Sequence, residues 1–165
     1  SRARLWREYV EGVQRPAERR IRWHVQRFLA GQKRAVLRNV ELVPWAKDRA
    51  ISRYLVADTI AILLGDSGDA LTGYLTPPLL KAEKAGFDRI SALLNRSVSW
   101  DPVMSPATMP IAMKVVQIDA ATRADLATIV RQGIAEGWSA NQLQAAIQLD
   151  TAGTWSPMRA LRIAR

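Results

Sequence analysis

Apolar residues recur at steps of three, four or multiples of them through the first forty residues, which is the spacing of an amphipathic helix. Pro16 interrupts this pattern. It either kinks one long helix or occupies the first turn of a second helix, where its missing N–H costs nothing. Pro44 ends the segment. The recurring apolar positions are Leu5, Tyr9, Val13, Ala17, Ile21, Val25, Phe28 and Val36.

A second helix is predicted to begin at Trp45 or Asp48 and to end at Leu64. Gly65 follows it, and glycine is well suited to the left-handed conformation that closes a helix. The stretch GDSGD, residues 65–69, is typical of a turn between helices.

A short helix is predicted over residues 70–74, and a longer helix follows it. Thr76 and Pro77 are the residue types favoured at a helix N-cap and at the first helical position. The stripe of the longer helix has steps of three and four and consists of Leu80, Glu83, Phe87, Ile90 and Leu94.

Residues 95–110 contain three prolines and three serines, which predicts a connection with at most a short helix before Lys114. After the connection we predict a helix from Ala120 to Glu136 that is closed by Gly137.

Two more helices are predicted near the end of the sequence. Ser139 and Gln142 have the three-residue spacing of a capping box, and Ser156 with Pro157 begins a last helix. No segment combines alternation with β-branched enrichment, so the fold class is all-α. We expect a basic amphipathic helical arm over 1–43, followed by a domain of five to seven helices over 44–165.

Composition excludes several kinds of site. The 165 residues are 48% hydrophobic and include no cysteine and one histidine, which excludes disulfides, thiolate sites and multi-histidine metal sites. We therefore predict no cofactor. The most apolar run, from Tyr54 to Leu64, is too short for a membrane span, so no membrane association is expected.

The motif GDSG, residues 65–68, is similar to the nucleophile loop of trypsin-like proteases, but the only histidine, His24, lies in the basic helix. Asp66 and Asp69 lack the further oxygen ligands of a calcium loop. Asp58 is expected on the polar edge of its helix. With no constellation for acid–base catalysis, we predict that the protein is not an enzyme.

A helix, a glycine turn and a second helix between Ala121 and Gln148 match the outline of a DNA-binding helix-turn-helix. Residues 132–158 contain no Lys or Arg, however, and phosphate contacts supply most of the affinity for duplex DNA. We interpret this region as a packed helical hairpin.

The formal charge of +9 is concentrated in residues 1–38, which hold 11 Lys and Arg and 3 Asp and Glu. On a helical wheel the cations fall mainly opposite the apolar stripe, and Trp23 lies among them. The segment is a solvated basic face, a protein interface or a nucleic-acid contact. The candidate contact residues are Arg15, Arg19, Arg20, Arg22, Trp23, Arg27, Lys33, Arg34 and Arg38.

The stretch from Val115 to Gln148 and the final MRALRIAR resemble the phage Mu F-like head morphogenesis proteins, and the similarity extends over residues 65–165. The usual Asn-x-Thr-Thr is replaced here by Asp-Ala-Ala-Thr, residues 119–122. The residues at family positions are Thr122, Arg123, Leu126, Gly133, Gly137, Ser139, Leu143, Ile147, Arg159, Ala160, Ile163, Ala164 and Arg165.

The N-terminal segment is similar to the Arg-rich helix that precedes this domain when the domain is joined to a phage portal protein. The resemblance implies a non-enzymatic virion component at the portal vertex, assembled in the host cytoplasm. It implies contacts with other head or portal subunits in a homo-oligomeric ring, and a role in head assembly and in genome packaging or passage. The alternative function is that of a sequence-independent nucleic-acid-binding module that uses the basic helix, with non-specific contact to double-stranded DNA. We expect the chain to be an excerpt of a longer polypeptide.

Overall fold

A computed structural model describes residues 2–43, 53–65, 67–93, 95, 99–100 and 108–164. Over these ranges every regular element is helical, which confirms the predicted all-α fold of five to seven helices. The helices are α1 (Arg2–Tyr9), α2 (Arg15–Asn39), α3 (Arg53–Leu64), α4 (Ser67–Leu93), α5 (Thr108–Glu136), α6 (Ala140–Leu149) and α7 (Pro157–Ala164).

Residues 2–42 form one continuous helical segment. A π-helical turn, Val10–Gln14, joins α1 to α2, and the N–H of Arg15 donates to the carbonyl of Val10, five residues earlier. Pro16 follows this turn directly. A wider turn gives the proline ring room beside the preceding carbonyls, so the helix passes through Pro16 without ending. A 3₁₀ turn, Val40–Leu42, ends the segment.

Helix α2 packs against four other helices, α3, α4, α6 and α7. From Ile21 onwards the predicted stripe is buried, together with Leu29 and Gln32. Its first residue, Leu5, is exposed on α1, which has no buried residue. The same core contains apolar side chains of α5 and α6. The proposed division of the chain at residues 43 and 44 stays a prediction. The core residues that α2 shares with these helices include Val25, Leu29, Val36, Leu126, Val130, Leu143 and Ile147.

The predicted break before Pro77 is wrong. Helix α4 runs through Pro77 and Pro78, so residues 70–74 are not a separate short helix and Thr76 is not an N-cap. Each proline removes one backbone N–H from the helix. Leu75 is nevertheless buried against the core, and this packing maintains the helix where local sequence signals predict its end.

Helix α5 begins earlier than predicted, at Thr108 instead of Ala120. Pro110 lies in its first turn, where a missing N–H is tolerated. Met113 and Val116 are exposed in this part of the helix, whereas Ile118 is buried. Between Met113 and Ile118 the exposed and buried apolar residues therefore follow no single stripe from which periodicity could identify this part of α5.

The predicted helix ends at glycine are confirmed. Gly65 and Gly137 have φ values of +50° and +67° and follow α3 and α5. The predicted start of the second helix, at Trp45 or Asp48, lies outside the described residues. Residues 67–69 of the predicted GDSGD turn belong to α4 instead.

The predicted helix starts after residue 138 are also confirmed. The Ser139 hydroxyl accepts from the backbone N–H of Gln142 at 3.4 Å, and the Gln142 side chain accepts from the backbone N–H of Ser139 at 2.8 Å. Helix α7 begins at Pro157, and the Ser156 hydroxyl accepts from the backbone N–H of Arg159. Side chains thus satisfy backbone N–H groups at both helix starts.

Candidate functional site

The structure places all nine candidate contact residues on one helix, α2. We call this set the basic face; eight of its members are exposed, and Lys33 is half-buried. The face points outward because the opposite stripe of α2 is held in the core. The basic face consists of Arg15, Arg19, Arg20, Arg22, Trp23, Arg27, Lys33, Arg34 and Arg38.

Trp23 is the large apolar side chain of the basic face, and half of its surface, 50%, is exposed. The guanidinium carbon of Arg27 lies 4.7 Å from the centroid of its ring, a cation–π distance. The imidazole of His24 contacts the same ring edge-on at 4.9 Å between centroids. Trp23 is therefore oriented by its neighbours and still presents a large surface to solvent.

The arginines of the basic face have no carboxylate partner among the described residues, since no ion pair there involves any of them. Arg34 donates from Nε to the carbonyl of Ala30 at 3.3 Å, within its own helix. The positive charge of the face is thus left for an external partner or for solvent.

Lys33 differs from the other members because its ammonium group is used within the protein. Its Nζ donates to the carbonyl of Gln148 at 2.9 Å and lies 6.0 Å from the ring of Trp155. Lys33 therefore ties α2 to the end of α6.

A groove of about 470 Å³ separates the first part of the basic face from α7. Three arginines and two glutamates line it together with two apolar residues of α7, so its charge is mixed. The lining residues are Glu11, Arg15, Glu18, Arg19, Arg22, Leu161 and Ala164.

A buried arginine on α7 forms a polar network that sequence reasoning did not identify. Arg159 is 8% exposed and donates to the carbonyls of Thr154 and Ile118 at 2.6 and 3.0 Å, and to the hydroxyl of Thr122 at 2.9 Å. The carboxylate of Asp125 lies 4.0 Å away. These bonds join α7 to α5.

Burial lowers the pKa of Arg159, because desolvation disfavours the charged guanidinium. The carboxylates of Asp125 and Asp150 oppose this shift, whereas the positive charge of Arg162 adds to it. Arginine has so high an intrinsic pKa that the group stays protonated at neutral pH. The network therefore contains a permanent buried cation.

A second set of hydrogen bonds joins the loop before α7 to α2 and α4. Asp150 accepts from the backbone N–H groups of Thr154 and Trp155 at 2.7 and 3.0 Å. The indole N–H of Trp155 donates to Gln32, and the Gln32 amide donates to the hydroxyl of Ser67. The sequence signal for Gln32 is its polar side chain within the apolar stripe of α2.

The positions that carry the resemblance have structural roles in this chain. Thr122 and Arg159 are hydrogen-bonded to each other, Gly137 ends α5, and Ser139 caps α6. Others lie in the core. The buried positions of this set include Leu126, Leu143, Ile147, Ala160 and Ala164.

The other candidate chemistry is described only in part, since Asp66 and the side chain of Asp69 lie outside the described residues. The hydroxyl of Ser67, from the GDSG motif, accepts the hydrogen bond from Gln32, and Asp58 is exposed as expected. In the described part of the chain, no group of three or more His, Asp or Glu is placed to hold a metal ion. None of the described helices is long and apolar enough to cross a membrane.

No family model, no curated protein and no solved structure matches this chain.

Proposed function

We propose that this protein is a structural component of a phage head or portal vertex and that the basic face of α2 is one of its subunit interfaces. In this proposal the protein acts without turnover or cofactor, within the virion, in a homo-oligomeric ring with other head or portal subunits. It contributes to head assembly and to genome packaging or passage. The observation that carries the proposal is the half-exposed Trp23 among arginines that form no ion pair with any described carboxylate.

Tryptophan and arginine are the residue types most enriched among the anchors of protein interfaces. Trp23 offers an apolar surface, and the neighbouring guanidinium groups offer donors for carboxylates or carbonyls of a partner subunit. Helix α2 is held by a buried stripe, so little backbone freedom is lost when a partner binds this face. These features support a binding surface whose shape is already formed before a partner subunit binds.

Sequence-independent binding of double-stranded DNA is the alternative function, and it is favoured by arginines that form no ion pair in the described part of the chain. From Arg15 to Arg38 the basic face extends about 35 Å along the helix, since each residue adds about 1.5 Å. Duplex DNA carries one charge per about 1.7 Å of its axis, so several phosphates fall within this length.

A DNA titration separates the two functions. The binding of a labelled duplex to the isolated monomer is measured by fluorescence anisotropy over a series of salt concentrations. DNA binding predicts measurable affinity at low salt. A plot of log K against log salt concentration should then fall with a slope of about 0.9 for each phosphate that the protein neutralises. Arg19→Gln and Arg22→Gln are then expected to reduce this slope by about 1 each. Arg131→Gln, which removes an exposed cation from α5, is the matched control.

An isolated monomer that does not bind duplex DNA at low salt would exclude the alternative and leave the assembly function. Binding whose slope falls in both basic-face variants, but not in the Arg131→Gln control, would favour DNA contact over assembly.

A further inference from the structure

A surface cavity of about 460 Å³ lies between α5, α7 and the loop that precedes α7. It lies on α5 and α7, and none of its lining residues belongs to the basic face of α2. Its walls are formed by apolar side chains such as Ile118 and Ile163, by the backbone around Gly153, and by a group of charged side chains. A volume of this size is sufficient for a small molecule.

The charged lining of the cavity is predominantly positive. Lys114, Arg159 and Arg162 contribute three cations, and Asp125 contributes one carboxylate. Among the described residues, no hydrogen bond or ion pair engages the ammonium group of Lys114 or the guanidinium group of Arg162. Within that part of the chain, two of the three cations are therefore available to a ligand.

The single carboxylate of Asp125 balances only part of the positive charge of the three cations. Its Oδ2 accepts the hydroxyl hydrogen bond of Thr154 at 2.8 Å and lies 4.0 Å from Arg159 Nη1. Arg159 directs its Nη1 and Nη2 donors to carbonyls and to the hydroxyl of Thr122. Burial is the main cause of the lowered pKa of Arg159, the carboxylates of Asp125 and Asp150 oppose it, and the positive charge of Arg162 is a smaller contribution that lowers the pKa further. The charges of Arg162 and Arg159 thus lie close enough to interact, and a bound anion would be attracted by both.

We propose that this cavity binds a small oxyanion, of the phosphate or carboxylate class, through the side chains of Lys114 and Arg162. The fixed charge of Arg159 adds a favourable potential from beneath the site, since interactions are less screened beside a buried group. The amide of Gln117, which also lines the cavity, is a further donor. This site is independent of the function proposed for the basic face.

An NMR titration of the full chain with inorganic phosphate tests the proposal. The backbone amide of Gly153 lies in the cavity wall and reports binding at that place. With ionic strength held constant, we expect its resonance to shift in a saturable manner with a Kd below about 10 mM. Lys114→Gln and Arg162→Gln are expected to weaken binding about fivefold or more, whereas Arg131→Gln leaves it unchanged.

Three results would overturn the proposal. The first is the absence of a saturable Gly153 shift up to about 50 mM phosphate. The second is equal affinity in the wild type and in both cavity variants, whose spectra also show whether they are folded. The third is displacement of phosphate from the cavity by a short DNA duplex, which would assign the site to phosphates of a polymer. Failure to displace it supports a small free oxyanion.

Discussion

The guanidinium group of Arg159 donates to the hydroxyl of Thr122 across 37 residues of sequence, and both side chains are buried. The same hydroxyl donates to the carbonyl of Ile118 at 2.9 Å, and that carbonyl also accepts from Arg159. The three groups form a closed arrangement in which a buried cation is satisfied by oxygen atoms of α5. Helix α7 is thereby fixed on α5 by polar contacts as well as by packing.

Thr122→Val is expected to lower the free energy of unfolding by about 1–3 kcal/mol, because it leaves a buried guanidinium donor without its acceptor. Urea denaturation measures this difference. Thr128→Val is the matched control, since Thr128 is exposed on the same helix and its hydroxyl donates to the carbonyl of Ala124 in the same i−4 manner. The control is expected to change stability by no more than about 0.5 kcal/mol. Equal losses in the two variants would refute a special role for the Thr122 hydroxyl.

Local signals in the sequence predicted the features that depend on neighbouring residues. The buried stripe of α2 follows from helical periodicity, and the capping box at Ser139 and Gln142 follows from residue types three apart. The left-handed glycines at the ends of α3 and α5 follow in the same way.

Features that depend on distant contacts could not be predicted in this way. Helix α4 continues through two prolines because Leu75 packs in the core, and no local sequence pattern predicts that burial. Arg159 looks like an ordinary surface arginine in the sequence, because its partners lie up to 41 residues away. Lys33 was predicted with the exposed cations, but it donates to Gln148, 115 residues away.

Leu29→Ala is expected to destabilise the molecule beyond α2, because Leu29 is 1% exposed in the core that α2 shares with other helices. A buried leucine replaced by alanine costs about 2–5 kcal/mol. Amide hydrogen exchange at Ile147 of α6 measures whether the loss spreads, and faster exchange is expected there. Leu149→Ala, at an exposed leucine, is the control and should leave exchange unchanged. Faster exchange confined to α2 would contradict a shared core.

Gly31 and Gly137 provide a matched pair for backbone effects, because a Cβ at either position meets no atom within 4 Å. Gly31 lies within α2, so Gly31→Ala is expected to raise the free energy of unfolding by about 0.5–1 kcal/mol. Gly137 has φ +67°, so Gly137→Ala is expected to lower it by about 1–2 kcal/mol. Thermal unfolding measures both shifts. Shifts of the same sign would contradict the assigned conformations.

The proposed interface at the basic face is tested most directly by sedimentation equilibrium of the chain and of its Trp23→Ala variant. Trp6→Ala is the matched control, since Trp6 is 65% exposed on α1 and lies outside the basic face. The proposal predicts an average mass that rises above the monomer with concentration. It also predicts association weakened about tenfold or more by Trp23→Ala and little changed by Trp6→Ala. A wild-type chain that stays monomeric at all concentrations, or association equally strong in Trp23→Ala, would contradict the proposal.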